Sequence, residues 1–289
     1  MAERDGNGWV RCARGHRHWG RFGAAGLLAY APADGAAAVL LQRRSQWGHH
    51  PGTWGPPGGA RDSHESAEAA AVREAAEECG VPADAVSAGG ILLDDHGGWA
   101  YQTVIAAAAG QFAVRPASAE TAEVWWVPDG EVTRLPLHPG FAAQWPALRA
   151  ALFPLTVIVD VANVMGARAD GWWRDRAGAA ARLHDEIAAL AERGVRALPD
   201  SVAGPALERW FPCFVLVLEG AARPALGTLP AARRVRAVAA GGSGDDLIAS
   251  LAASTAGRRL VVTADRELRS RSAAAGAAVT GPRWLLGMR

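Results

Sequence analysis

Hydrophobic and polar positions alternate in two different rhythms along this chain. In the first half, Phe22–Tyr30 and Ala36–Arg43 read as strands joined by a turn at Ala31-Pro-Ala-Asp-Gly35. Trp99–Ala107 and Glu123–Val127 read as further strands, and Phe141–Leu152 as a closing helix. Residues 49–58, with their His, Pro and Gly, read as loop, and the first 20 residues as an irregular lead-in. Between these lies an Ala-rich helical stretch from Ser66, a good N-cap, to Cys79, with Gly80 as its stop and Pro82 beyond.

At Leu155 the rhythm changes. Leu155–Asp160 is a short continuous apolar run, the mark of a strand buried on both faces of a parallel sheet. Helix over Trp173–Ala191, strand over Phe214–Glu219, helix from Asp245 to about Ala253, strand over Arg259–Asp265, helix from Arg266 and strand over Ala277–Thr280 follow. Strand and helix alternate, which predicts a three-layer α/β arrangement. The expected boundary falls near Phe153-Pro154, giving domains over 1–153 and 154–289.

The length of 289 residues suits two domains. Lysine is absent, so every basic residue is Arg; with abundant Ala, Gly and Pro this reflects coding bias more than phosphate recognition. Residues 1–154 carry 12 Arg against 16 Asp and Glu, net −4, and residues 155–289 carry 18 against 13, net +5. A mildly basic second half is compatible with a nucleic-acid partner or an oligomer interface. Three scattered cysteines imply no disulfide framework, and no signal-like start or long apolar run is present, so a cytoplasmic, membrane-free protein is expected. Cys12, His16 and His18 are zinc-type donors, but Cys-x3-His-x-His lacks a fourth nearby ligand.

The helix over 66–79 carries the most specific chemistry. Glu74, Glu77 and Glu78 share one helix face directly after Gly58-Gly59, where like charges disfavour the helix unless a cation joins them. The run Gly59, five residues, Glu65, seven residues, Arg73-Glu74, two residues, Glu77-Glu78, one residue, Gly80-Val81 resembles the Nudix box at every fixed position. Departures fall at Pro57, His64 and Ala75 and concern packing and loop shape. The resemblance implies an α/β/α sandwich with a mixed sheet and a Mg²⁺- or Mn²⁺-dependent hydrolase of nucleoside-diphosphate linkages. It implies Glu77 and Glu78 as metal ligands, Glu74 as ligand or general base, and the Gly59 carbonyl as a further ligand. Arg73 would orient the cluster, and Glu65 would support it. The family often adds an acid from outside the box; Glu120 and Glu123 are the candidates, and either reads equally well as a solvated loop acid. Arg43 and Arg44 are candidate phosphate contacts. Trp47, Trp54, Trp99 and Tyr101 are candidate base-stacking residues, with Trp54 and Tyr101 chosen for the substrate-binding set. A nucleotide-sensing module without turnover is the competing reading.

The second half places acids at strand ends, where ligands bind open α/β sheets. Val159-Asp160-Val161-Ala162-Asn163-Val164-Met165-Gly166, Gly244-Asp245-Asp246 and Val262-Thr263-Ala264-Asp265-Arg266 resemble the NYN branch of the PIN-like nucleases. That resemblance implies a mainly parallel three-layer α/β/α domain and metal-dependent RNA cleavage. Asp160, Asp246 and Asp265 would hold metal, with Asn163, Asp245 and Thr263 in support and Glu219 a weaker match. Read without it, Asp245 is a helix N-cap. A nucleotide or nucleotide conjugate is thus the expected substrate, with RNA a candidate partner of the second half.

Overall fold

The computed structural model describes residues 4–33, 36–46 and 50–288. The chain forms two compact units, one of residues 1–152 with 205–208, the other of 153–204 with 209–289. Pro205–Glu208 thus belongs to the first unit, where Glu208 N donates to the Ile91 carbonyl (2.9 Å).

In the first unit, β3 (Ala24–Ala33) and β4 (Ala36–Arg44) form an antiparallel pair whose apolar runs are almost wholly buried. The turn proposed at Ala31–Gly35 includes Asp34 and Gly35, which lie outside the described residues. β7 (Val86–Asp95) pairs antiparallel with β8 (Ala100–Ala108), and β8 runs parallel to β3, so the sheet is mixed. β9 (Thr121–Pro128) lines up on β4. Within the expected loop, β5 (Trp54–Gly55) pairs with β4, and β6 (Gly58–Ala60) pairs with β3. Glycine is what allows β6 to come so close: a Cβ on Gly58 would lie 2.5 Å from the Ala25 carbonyl oxygen.

The expected irregular lead-in contains a hairpin, β1 (Trp9–Arg11) against β2 (Arg17–Trp19), with Trp9 and Trp19 edge to face at 5.5 Å. Its strands, Trp-Val-Arg and Arg-His-Trp, span three positions each, too few for periodicity to register.

Helix α1 (Ala67–Cys79) packs on β3 and β6. Ser66 Oγ accepts from Ala69 N (3.1 Å), and Gly80 closes the helix in the left-handed region at φ 70°. Helix α2 (Pro139–Ala150) buries Phe141, Trp145 and Leu148.

The second unit is a sheet in which every described strand pair is parallel: β13 (Val235–Ala239), β12 (Cys213–Leu218), β10 (Leu155–Asp160), β14 (Arg258–Val262) and β15 (Ala278–Thr280), in that spatial order. The short β11 (Arg209–Trp210) bridges Val195. Ile158, Val217 and Val261 pack with Ile248 of α5 (Gly244–Ser254) and Leu268 of α6 (Arg266–Ala274). Helix α4 (Arg176–Arg193) packs on β12 and β13 and buries Leu183, Ile187 and Leu190. Between β10 and α4 stands the short α3 (Val161–Gly166), which the strand–helix pattern did not signal. Among the described residues, no helix is long and apolar enough to cross a membrane.

Candidate active site

The box carboxylates meet the glycines of β6. Glu74 lies so close to Gly59 that a Cβ there would sit 2.7 Å from its carboxylate. Glu78 Oε2 accepts from Gly58 N (2.8 Å) and from Gln42 Nε2 (2.7 Å). Burial is the main force pushing the Glu78 carboxyl up to about 7, and the nearby Glu74 charge adds to it. Burial also raises Glu74, while Arg73 pulls it back.

Arg73 organises the cluster. Its guanidinium donates to both oxygens of Glu65 (2.7 and 2.8 Å), to Glu74 Oε1 (2.6 Å) and to the Ala60 carbonyl (3.0 Å). These bonds hold the Glu65 carboxyl below its ordinary range. Glu77 pairs with Arg4 and lies 3.7 Å from Arg73. Carboxylate and backbone carbonyl oxygens are the donors Mg²⁺ and Mn²⁺ prefer, so by donor chemistry Glu74, Glu77, Glu78 and the Gly59 carbonyl suit such an ion.

Gln42 is the site residue that sequence reasoning missed. It is 1% exposed, donates to Glu78 and accepts from Thr121 Oγ1 (2.5 Å). A polar residue ending the apolar run Val39-Leu40-Leu41 was the available signal.

The next residue, Arg43, pairs with its register partner Glu123, and strand alternation turns both away from the face where Gln42 meets α1. Glu120 lies in the exposed loop before β9, its amide donating to Ser118 Oγ (3.2 Å). Trp54 is buried against Trp125 (4.6 Å) rather than open to a ligand. Trp47 lies outside the described residues.

Arg44 and Tyr101, by contrast, line a cleft of about 240 Å³ with Gly58, Trp99, Thr103 and Phe141. The Tyr101 hydroxyl rests against Gly58 and Gly26, and burial raises its phenol. The cleft therefore adjoins the carboxylate cluster through Gly58.

The NUDIX domain profile matches residues 21–149. In two strains of Mycobacterium tuberculosis, a protein provisionally named 8-oxo-dGTP diphosphatase 3 is 50% identical over 162 residues, 53% of this chain and 72% of the relative. The chain belongs to the Nudix family. It is a Nudix pyrophosphohydrolase, and members of this family generally need a divalent metal ion. A nucleoside triphosphate pyrophosphatase/Nudix hydrolase fusion protein of Bifidobacterium longum is 38% identical over 152 residues, 51% of this chain and 32% of the relative. A solved Nudix hydrolase of M. smegmatis is 51% identical, covering 50% of this chain and 93% of that one, at a TM-score of 0.48.

The second unit has its own acidic cleft, of about 540 Å³, lined by Asp160, Asn163, Glu219, Asp245 and Asp265. Asp160 caps α3 through Asn163 N (3.0 Å) and accepts from Thr263 Oγ1 (2.8 Å). Asp265 caps α6 through Leu268 N (2.7 Å). Asn163 Oδ1 accepts from Ala264 N (2.9 Å), and Glu219 from Gly244 N (2.9 Å). Asp245 stands in the first turn of α5, whose N-cap is Ser243. Burial first, then Asp265 and Glu219, raise its carboxyl; burial likewise raises Asp160. Asp246 is not among the lining residues: its Oδ1 accepts from Arg271 (2.7 Å).

Proposed function

We propose that the first unit hydrolyses the pyrophosphate linkage of a purine nucleoside triphosphate, with oxidised guanine nucleotides as the leading substrate. The carrying observation is the α1 carboxylate cluster set against Gly58-Gly59 at the edge of the Arg44–Tyr101 cleft. The names of the M. tuberculosis relatives supply the substrate class. In this reading Glu77 and Glu78 hold the metal with the Gly59 carbonyl, and Glu74 serves as ligand or general base. A bound Mg²⁺ or Mn²⁺ would offset phosphate charge and lower the pKa of its water. Arg44 meets the phosphates, Tyr101 and Trp99 wall the base, and Arg73 keeps Glu74 aimed. A chain that only sensed nucleotides would have no use for three carboxylates kept at such electrostatic cost.

The test is a hydrolysis panel on the full chain with Mg²⁺ or Mn²⁺: 8-oxo-dGTP, dGTP, dinucleoside polyphosphates, ADP-ribose and NAD. Release of monophosphate and pyrophosphate from 8-oxo-dGTP ahead of dGTP is expected, falling about 10²-fold or more in Glu78→Gln. Turnover that survives Glu78→Gln overturns the site, and tight binding without turnover favours a sensor.

For the second unit we infer a PIN/NYN-like, metal-dependent ribonuclease, supported by the gathering of Asp160, Glu219, Asp245 and Asp265 at one sheet edge. Several acids in one cleft repel one another unless a cation sits among them.

A further inference from the structure

The N-terminal hairpin brings together a group of side chains that the pyrophosphohydrolase chemistry leaves unused. Cys12 and His16 flank the turn between β1 and β2, and His18 follows on β2. His96 comes from the turn joining β7 and β8. One donor atom from each of the four lies within 4.8 Å of the others. A tetrahedral zinc needs donors about 3.5 Å apart, so small side-chain rotations close the set.

Three observations mark this as a ligand set rather than a chance meeting. Cys12 is buried, and Nε2 of His18 and Nδ1 of His96 are buried without a hydrogen-bond partner, an uncommon state for polar atoms. Asp94 Oδ2 lies 3.3 Å from the other ring nitrogen of His96, the carboxylate–histidine arrangement that leaves the first nitrogen's lone pair to a metal. The backbone also holds the two turns in place. Cys12 N donates to the His16 carbonyl (3.0 Å), Ala13 N to the Gly97 carbonyl (2.7 Å), and His96 N to the Trp99 carbonyl (2.9 Å).

We propose that Cys12, His16, His18 and His96 bind a zinc ion that pins the N-terminal hairpin to the β7–β8 turn. One thiolate and three imidazoles suit zinc over the hard cations drawn to the carboxylate cluster. The site also fixes one wall of the substrate cleft, because His18 stacks on Trp99 (3.9 Å between ring centroids, 11° between planes) and both line it.

Metal analysis of the full-length protein, purified without chelator and dialysed against Mg²⁺, tests the proposal. About one zinc per chain is expected. Cobalt substitution should then give the intense visible bands of a tetrahedral centre with a thiolate-to-cobalt charge-transfer band. Cys12→Ser should remove that charge-transfer band, and His16→Ala, at an exposed position, should lower zinc retention without unfolding, checked by circular dichroism. Asp94→Asn should weaken zinc affinity by about 10- to 100-fold. Glu78→Gln should leave zinc content unchanged, which separates this site from the hydrolytic one. Absence of zinc, a pale octahedral cobalt spectrum, or zinc content insensitive to both Cys12→Ser and His16→Ala would overturn it.

Discussion

In the proposed role of metal ligand, Glu78 would meet two opposing demands: it must be charged to hold a cation, yet it is 6% exposed. In the metal-free chain its carboxyl, at about 7, lies above the ordinary range. Between about pH 4.5 and 7 the folded state therefore keeps a proton that the unfolded state has released. The stability contributed by this group is complete below about pH 4.5 and is lost as pH rises to about 7. Glu78→Gln keeps the acceptor for Gly58 and Gln42 but removes the titration. In EDTA, the variant should gain about 2–3 kcal/mol on the parent between pH 5 and pH 8, at roughly 1.4 kcal/mol for each tenfold difference in proton affinity between the folded and unfolded chain. Urea unfolding at both pH values measures this, and an equal difference at the two would show that Glu78 does not titrate there. Gly59 makes the complementary case. Its missing Cβ leaves room for Glu74, so Gly59→Ala should lower hydrolysis about 10- to 100-fold while the far-ultraviolet spectrum stays unchanged. At this scale the acids of the box were legible because spacing on one helix settles which side chains converge. Gln42 and His96 were not: Gln42 meets Glu78 through the packing of α1 on the sheet and Thr121 through β4–β9 pairing, and His96 meets the hairpin through a contact between two turns, all concealed by sequence distance.

Helix α1 is specified by its own ends, which is why both could be read directly. Ser66 satisfies Ala69 N at the start, and Gly80 takes the left-handed conformation at the finish, donating to the Ala76 and Ala75 carbonyls. Ser66→Ala should cost about 1 kcal/mol and Gly80→Ala about as much, each as a lower urea midpoint for the first unit. A loss far smaller in both variants would mean that packing on β3 and β6, rather than the caps, decides the helix. β5, β6 and the β1–β2 hairpin escaped notice for the opposite reason. Two or three residues carry no period, and Gly58-Gly59 looks like loop until the close approach to Ala25 is seen. β7 was hidden by Gly89-Gly90 and a register shift between Ala88 and Gly90.

Across the whole molecule the change of rhythm at Leu155 gave no sign that Pro205–Glu208 groups with the first unit, where Glu208 N donates to the Ile91 carbonyl. The two units each set carboxylates at the end of a strand or the face of a helix, and each raises some of them by burial. In the second unit the resemblance to NYN nucleases and the geometry differ on one residue. The resemblance favours Asp246 as a metal holder; the cleft is lined by Asp245, while Asp246 is engaged by Arg271. Helical geometry accounts for the difference, since successive residues point about 100° apart and only one of the pair can face Asp160 and Asp265. If the unit cleaves RNA, Asp245→Asn should reduce Mn²⁺-dependent cleavage of a single-stranded RNA at least about tenfold, while Asp246→Asn stays near the parent. Nucleotide hydrolysis by the first unit should be the same in both variants, which reports that each protein is intact. Loss in Asp246→Asn with activity kept in Asp245→Asn would reverse the assignment, and no cleavage by the parent under any divalent ion would remove the ribonuclease reading altogether.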